Sequence, residues 1–193
     1  ETINEQNFSL LLEGILPEAA ELNFLSNGRA KEIVTLFHEY VKRTKADPEK
    51  VFGAVETDPL GRLMMNGTLC IPVSQGLDYL AAVAGLTFPL PHFRALHLTA
   101  SNFGNAGCNI VQEISFGISM GAEYMVQLIH RGINADIAAS KIRFSFSTGP
   151  DYFPEIAKLR AARLVWSAVV NGFKPGNTEN AKMEIHCVTG QLS

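Results

Sequence analysis

The chain has 193 residues, a formal net charge of −3 and 47% hydrophobic side chains. That is enough apolar material for a buried core, and too little charge asymmetry for a nucleic-acid face or an acidic tail. No apolar run reaches the roughly 18–20 residues of a membrane span and no signal peptide is expected. Three cysteines without a CxxC pair, Cys70, Cys108 and Cys187, argue against disulfides or structural zinc and for a reduced, cytoplasmic setting.

The first predicted strand is Glu21–Ser26. Asn27 and Gly28 then open a helix whose Ala30, Ile33, Val34, Phe37 and Val41 share one face. Val51–Glu56 is a second, nearly all-apolar strand. In the turn Thr57-Asp58-Pro59-Leu60-Gly61, Asp58 caps a helix and proline takes its first position, a structural role. Pro72 starts another helix carrying Val73, Leu77, Leu80 and Ala84.

The third strand, Arg94–Ala100, runs towards Asn102. Asparagine tolerates left-handed turns, so Asn102 is expected to shape the loop before Gly104. After Gly107, Ile110, Ile114, Ile118, Met125 and Ile129 line one helix face. Gly117 and Gly121 on that helix let a neighbour approach closely. Ile142–Ser147 is the fourth strand and Met183–Val188 the fifth.

The helix predicted between them, Tyr152 to Phe173, carries two apolar stripes. One is Phe153, Ala157, Ala161, Leu164 and Ala168; the other is Leu159, Ala162, Trp166, Val170 and Phe173. A helix apolar on two sides is buried on two sides, one against the sheet. The other meets a further domain or subunit, or is enclosed by the chain's own fold. If buried, Arg160 and Arg163 between the stripes require carboxylate or carbonyl partners.

Strands alternating with helices at spacings of 30 to 45 residues imply parallel β/α units. Leu96-His-Leu-Thr-Ala and Arg143-Phe-Ser-Phe-Ser alternate apolar and polar residues, which suits a barrel wall facing helices on one side and a narrow lumen on the other. A small doubly wound sheet is the competing architecture. The expected fold is α/β of the (β/α)₈ TIM-barrel type, incomplete at about five units, since a full barrel takes about 250 residues. The start on Glu1 and the stop at Ser193 are expected to mark a piece of a longer barrel, here a single domain over residues 1–193.

Function in such folds sits at the carboxyl ends of strands. Those ends are Leu25–Gly28, Glu56–Gly61, Thr99–Gly104, Ser147–Pro150 and His186–Gln191. They carry no Gly-rich phosphate loop, no HExxH, no clustered Cys and His ligands and no strand-end lysine for a Schiff base. His97 and His186 lie inside strands, where packing roles are commoner than catalytic ones.

Several segments together resemble the methylmalonyl-CoA mutase family: Asp58-Pro-Leu-Gly, Asn105-Ala-Gly, Gly121-Ala-Glu-Tyr, the run Glu155-Ile-Ala-Lys-Leu-Arg-Ala-Ala-Arg-Leu-Val-Trp166 and, more loosely, His186-Cys-Val-Thr-Gly. The resemblance runs from about Leu22 to Gln191. It implies a substrate barrel enclosing a CoA thioester, beside a separate cobalamin-binding domain that is absent from this chain. The family interconverts methylmalonyl-CoA and succinyl-CoA through an adenosyl radical. Its catalytic subunits carry a histidine where Asn102 stands here, and a glutamine where Val188 stands. The family's substrate-binding segment corresponds to a shortened Leu86–His92, and the cobalamin-ligating Asp-x-His-x-x-Gly motif does not occur.

The resemblance therefore implies a non-catalytic small subunit. Its expected partner is the large catalytic subunit, with adenosylcobalamin in the full enzyme and no cofactor in this chain. No catalytic residue is expected; Asn102 and Val188 mark the degenerate mouth, and the substrate- and cofactor-binding residues are unassigned. Two alternatives are an active barrel enzyme on a CoA thioester with His97 or His186 as its acid, and a stand-alone protein-binding module.

Overall fold

The computed structural model describes residues 3–190. Strand β1 (Leu22–Phe24) pairs in parallel with β2 (Gly53–Val55), and β2 with β3 (Phe93–Arg94). A second parallel sheet joins β4 (Leu96–Thr99), β5 (Ile142–Thr148) and β6 (Glu184–Thr189). Only Ala95 separates β3 from β4. Its N–H turns aside to the carbonyl of Lys141, so the two sheets meet along one line of chain. The strand order follows the chain order without reversal.

All five predicted strands are present. The third begins one residue earlier than its pattern suggested and is broken at Ala95. The α/β architecture with parallel sheets follows from connections too long for hairpins, each carrying helix.

The α-helices are α1 (Glu5–Leu11), which precedes β1, and α2 (Ala30–Thr44), α3 (Pro59–Asn66), α4 (Val73–Leu86), α5 (Ser101–Asn105), α6 (Ile110–His130), α7 (Ala135–Ser140) and α8 (Tyr152–Gly172) in the connections. Helix α2 buries the predicted face, Ala30, Ile33, Val34, Phe37 and Val41, and adds Tyr40. Helix α6 starts on a capping box in which the Asn109 side chain accepts from Gln112 N–H and the Gln112 side chain accepts from Asn109 N–H.

The core lies between these helices and the outward side chains of the strands. Phe93, Leu96, Leu98, Phe144 and Phe146 are fully buried there with Leu80, Met125 and Trp166. Burying each such side chain stabilises the fold by about 1.5–3 kcal/mol. Gly117 and Gly121 permit the tight fit expected of them. A Cβ on Gly117 would stand 2.7 Å from the Ala100 Cβ, and one on Gly121 2.6 Å from Phe144 Cζ.

The other strand face is concave. Arg143, on β5, reaches across it to Glu21 at 2.7 Å and to Asn23 of β1 at 2.6 Å. On a flat sheet these strands would be about 14 Å apart, three inter-strand spacings. The wall is therefore strongly curved.

Helix α8 resolves the two-stripe reading. Ala162, Trp166 and Val170 are buried against the sheet and α6, while Phe153 and Leu164 of the other stripe are 79% and 74% exposed. Arg160 and Arg163 are exposed too, so the partners expected of buried arginines are not required. Asn102 also differs from expectation. It lies inside α5 and not in a left-handed turn; among the described residues, the non-glycine positions with positive φ are Asn27, Lys45 and Lys174.

Candidate functional site at the strand ends

The carboxyl ends of β1, β2 and β4 open into one cleft of about 630 Å³. Its walls come from Ser26–Gly28, from Glu56–Pro59 with Gly61 and Arg62, and from Thr99 with Asn102; the end of α3 (Met65, Asn66), the connection that follows it (Thr68–Ile71), and Gly76 with Tyr79 of α4 complete it. Three of the five strand ends singled out in the sequence thus converge. The ends near Ser147 and His186 do not reach this cleft, and Gln191 lies outside the described residues.

Asp58 builds the cleft floor. Its carboxylate caps α3 by accepting from Gly61 N–H at 2.9 Å and accepts from Thr99 N–H at 3.1 Å. Tyr124 of α6 donates its hydroxyl to the same carboxylate at 2.5 Å and accepts from Leu60 N–H at 2.8 Å. Burial raises the Asp58 carboxyl above the usual carboxylate range, against the pull of these three hydrogen bonds. Burial first, then the Asp58 charge, pushes the Tyr124 phenol upward. Asp58 is thus a structural cap, as its place before proline suggested, and it also ties β4 and α6 to α3.

Around that floor the lining is mixed: Met65, Leu69 and Ile71 are apolar, while Thr57, Asn66, Thr68 and Asn102 offer neutral polar groups. Thr57 is buried, and its hydroxyl lacks a hydrogen-bond partner among the described residues. Gly28 sits at φ 89°, and a Cβ there would be 3.7 Å from the Arg62 guanidinium. Asn102 enters from α5, which is held down because Gly104 leaves room for the Ser147 hydroxyl. The lining residues offer amides, hydroxyls, a thiol, carboxylates and one guanidinium. They offer no imidazole, so the cleft does not fit a cobalt-ligating role.

The two histidines lie elsewhere. His97 and His186 meet edge to face on the concave side, ring centroids 5.5 Å apart. Burial, then the charge of Arg143 and the neighbouring His186, lowers His97 to about 4. Val188 stands opposite Ser147 in the β5–β6 register, also outside the cleft lining.

One buried ionic group has no counterpart in the sequence reading. Lys158 of α8 donates to Glu113 of α6 at 3.0 Å and to the Ser147 carbonyl, and lies 2.6 Å from Glu155. Glu113 in turn accepts from the Ser147 N–H at 2.7 Å and hydroxyl at 2.9 Å. The network fixes the carboxyl end of β5. The Glu155/Lys158 spacing hinted at a pair, but only packing brings Glu113 to it.

Comparison with known proteins adds to this geometry. A family model described as methylmalonyl-CoA mutase matches residues 3–193. The chain belongs to the methylmalonyl-CoA mutase family. It is 35% identical over 97% of its length to the methylmalonyl-CoA mutase small subunit of Porphyromonas gingivalis (strain ATCC BAA-308 / W83). It is 28% identical over 97% to methylmalonyl-CoA mutase of Rhizobium meliloti (strain 1021), and 25% identical over 95% to the methylmalonyl-CoA mutase large subunit of Streptomyces virginiae. It spans 30%, 26% and 25% of those relatives, respectively. Among the described residues of this methylmalonyl-CoA mutase family chain, no helix is long and apolar enough to cross a membrane.

Proposed function

We propose that the chain is part of the TIM-barrel domain of the small, non-catalytic subunit of a heterodimeric methylmalonyl-CoA mutase, and that it acts by packing against and stabilising the large catalytic subunit. The sequential parallel strand order and the curvature spanned by Arg143 support the barrel reading. The likeness to a small subunit, and the existence of relatives named as large subunits, support the partner.

The observation that carries the non-catalytic reading is Asn102. It lines the strand-end cleft at the position where the family resemblance places a catalytic histidine. The reading rests on the need for a group that can give up a proton to the thioester carbonyl where charge builds up. An asparagine amide can donate a hydrogen bond but does not titrate in the usable range, so it cannot act as a general acid. Adenosylcobalamin belongs, in this proposal, to the full enzyme; the cleft of this chain offers no imidazole to its cobalt.

The test is to mix the full-length protein with the large subunit of the same mutase, and to follow co-elution and mutase activity with and without Asn102→His. A stoichiometric complex whose activity ignores the substitution is expected. Absence of a complex, or turnover by this chain alone, overturns the proposal.

A further inference from the structure

The concave face carries a balanced ion cluster. Strand register puts His97, Arg143 and Glu184 side by side, and Thr99, Ser145 and His186 in the next row. Arg143 bridges Glu21 and Asn23 near β1 to Glu184 on β6. Arg94 of β3 holds the second oxygen of Glu184. The strand between, β2, places the uncharged Ala54 in register with Asn23 and Arg94. Among the described residues, the charged groups facing one another are thus two arginines and two glutamates, with His97 as the buried ring beside them and His186 against its edge.

We propose that this face is an acid-responsive staple: the cluster holds β1 to β5 and β6 at neutral pH and releases them when His97 takes up a proton. The geometry sets the direction. His97 is flanked by Arg143 and by the ring of His186, and its Nε2 is buried without a hydrogen-bond partner among the described residues. A proton there has no acceptor to bind and adds positive charge beside Arg143, which is already saturated by Glu21, Asn23 and Glu184. Burial keeps the ring neutral to about pH 4 while the wall is closed. An open wall restores the ordinary value near 6.5. Acid therefore favours opening. Glu21 responds less: burial raises its carboxyl, but the Asn23 hydrogen bond and Arg143 outweigh that and lower it, so it keeps its charge further into acid.

The test is amide hydrogen exchange on the full-length chain at pH 7 and pH 5, expressed as protection factors corrected for intrinsic exchange rate. Protection of Leu22–Phe24 and Glu184–Thr189 should fall on the order of twenty-fold at pH 5, the change one histidine gives when it moves from about 4 to 6.5 on opening. Protection of α2 should fall by no more than this factor. His97→Gln should largely abolish the acid response. An unchanged protection pattern, a loss in α2 larger than in these strands, or a wild-type response in His97→Gln overturns the staple.

Discussion

Tyr124 donates its hydroxyl hydrogen to Asp58 across 2.5 Å, joining residues 66 positions apart in the chain. The same oxygen accepts from Leu60 N–H. One phenol therefore pins the start of α3 to α6, and with it the floor of the strand-end cleft. Tyr124→Phe leaves Leu60 N–H without its acceptor and Asp58 without its strongest donor. Losing a partner at a buried polar group costs about 1–3 kcal/mol. Urea unfolding should show a loss of that size.

Gly121 has no space for a side chain. A Cβ would fall 2.6 Å from Phe144 Cζ and 2.9 Å from Trp166 Cζ3, both in fully buried rings. Gly121→Ala should destabilise by about 1–3 kcal/mol through overpacking, despite alanine's better helix propensity. Trp166 is the chain's single tryptophan. Its emission should shift in the folded variant, as its contact with Phe144 is disturbed.

Lys158 neutralises two carboxylates from inside the protein, its own side chain 1% exposed and that of Glu113 2%. Lys158→Met strands Glu113 and Glu155 beside each other. Breaking a buried pair on one side costs about 3–5 kcal/mol. Thermal unfolding should show a large drop in Tm. Lys158→Met with Glu113→Gln should recover part of it; no recovery would mean that the ammonium matters for packing alone.

Stability should fall on acidification in a window set by His97. Above pH 6.5 the ring is neutral in both folded and unfolded states. Between 6.5 and about 4 the unfolded chain binds a proton that the folded chain refuses, so stability declines as pH drops through that range. The full loss is about 3 kcal/mol, at 1.36 kcal/mol per pH unit. His97→Asn should flatten this part of the pH profile measured by urea denaturation.

Helix α8 offers a contrast between its stripes. Leu164→Glu, on the exposed one, should change stability by no more than about 0.5 kcal/mol. Trp166→Ala, two residues on, should cost about 3–5 kcal/mol. Equal effects of the two substitutions in thermal melts would overturn the assignment of the faces.

Much of the fold was legible because its signals are local. Period-two alternation in Leu96–Thr99 and Arg143–Ser147 reported a wall with two different faces. The 3.6-residue repeat of α2 marked its buried side, that of α6 did so in part, with Ile118 and Met125 buried and Ile110, Ile114 and Ile129 half-buried, and Asp58-Pro59 marked a capped helix start. Short helices were missed. Helix α1 is held by Phe8 packing on Phe24, with ring centroids 5.7 Å apart, and α5 by the close fit of Gly104 against Ser147. Neither is long enough to show a repeat.

Sequence by itself determined the parallel β/α layout, the absence of a phosphate loop or metal motif, the structural nature of Asp58 and the family. These depend on residue type and spacing along the chain. Only the tertiary structure decided that three strand ends share a cleft containing Asn102 while His97 and His186 face each other elsewhere. It alone decided which stripe of α8 is covered, and that Lys158 meets Glu113 and Arg143 meets Glu21. Such relations depend on sheet curvature and helix packing, which bring together groups 45 to 122 positions apart, a range over which no periodicity carries a signal.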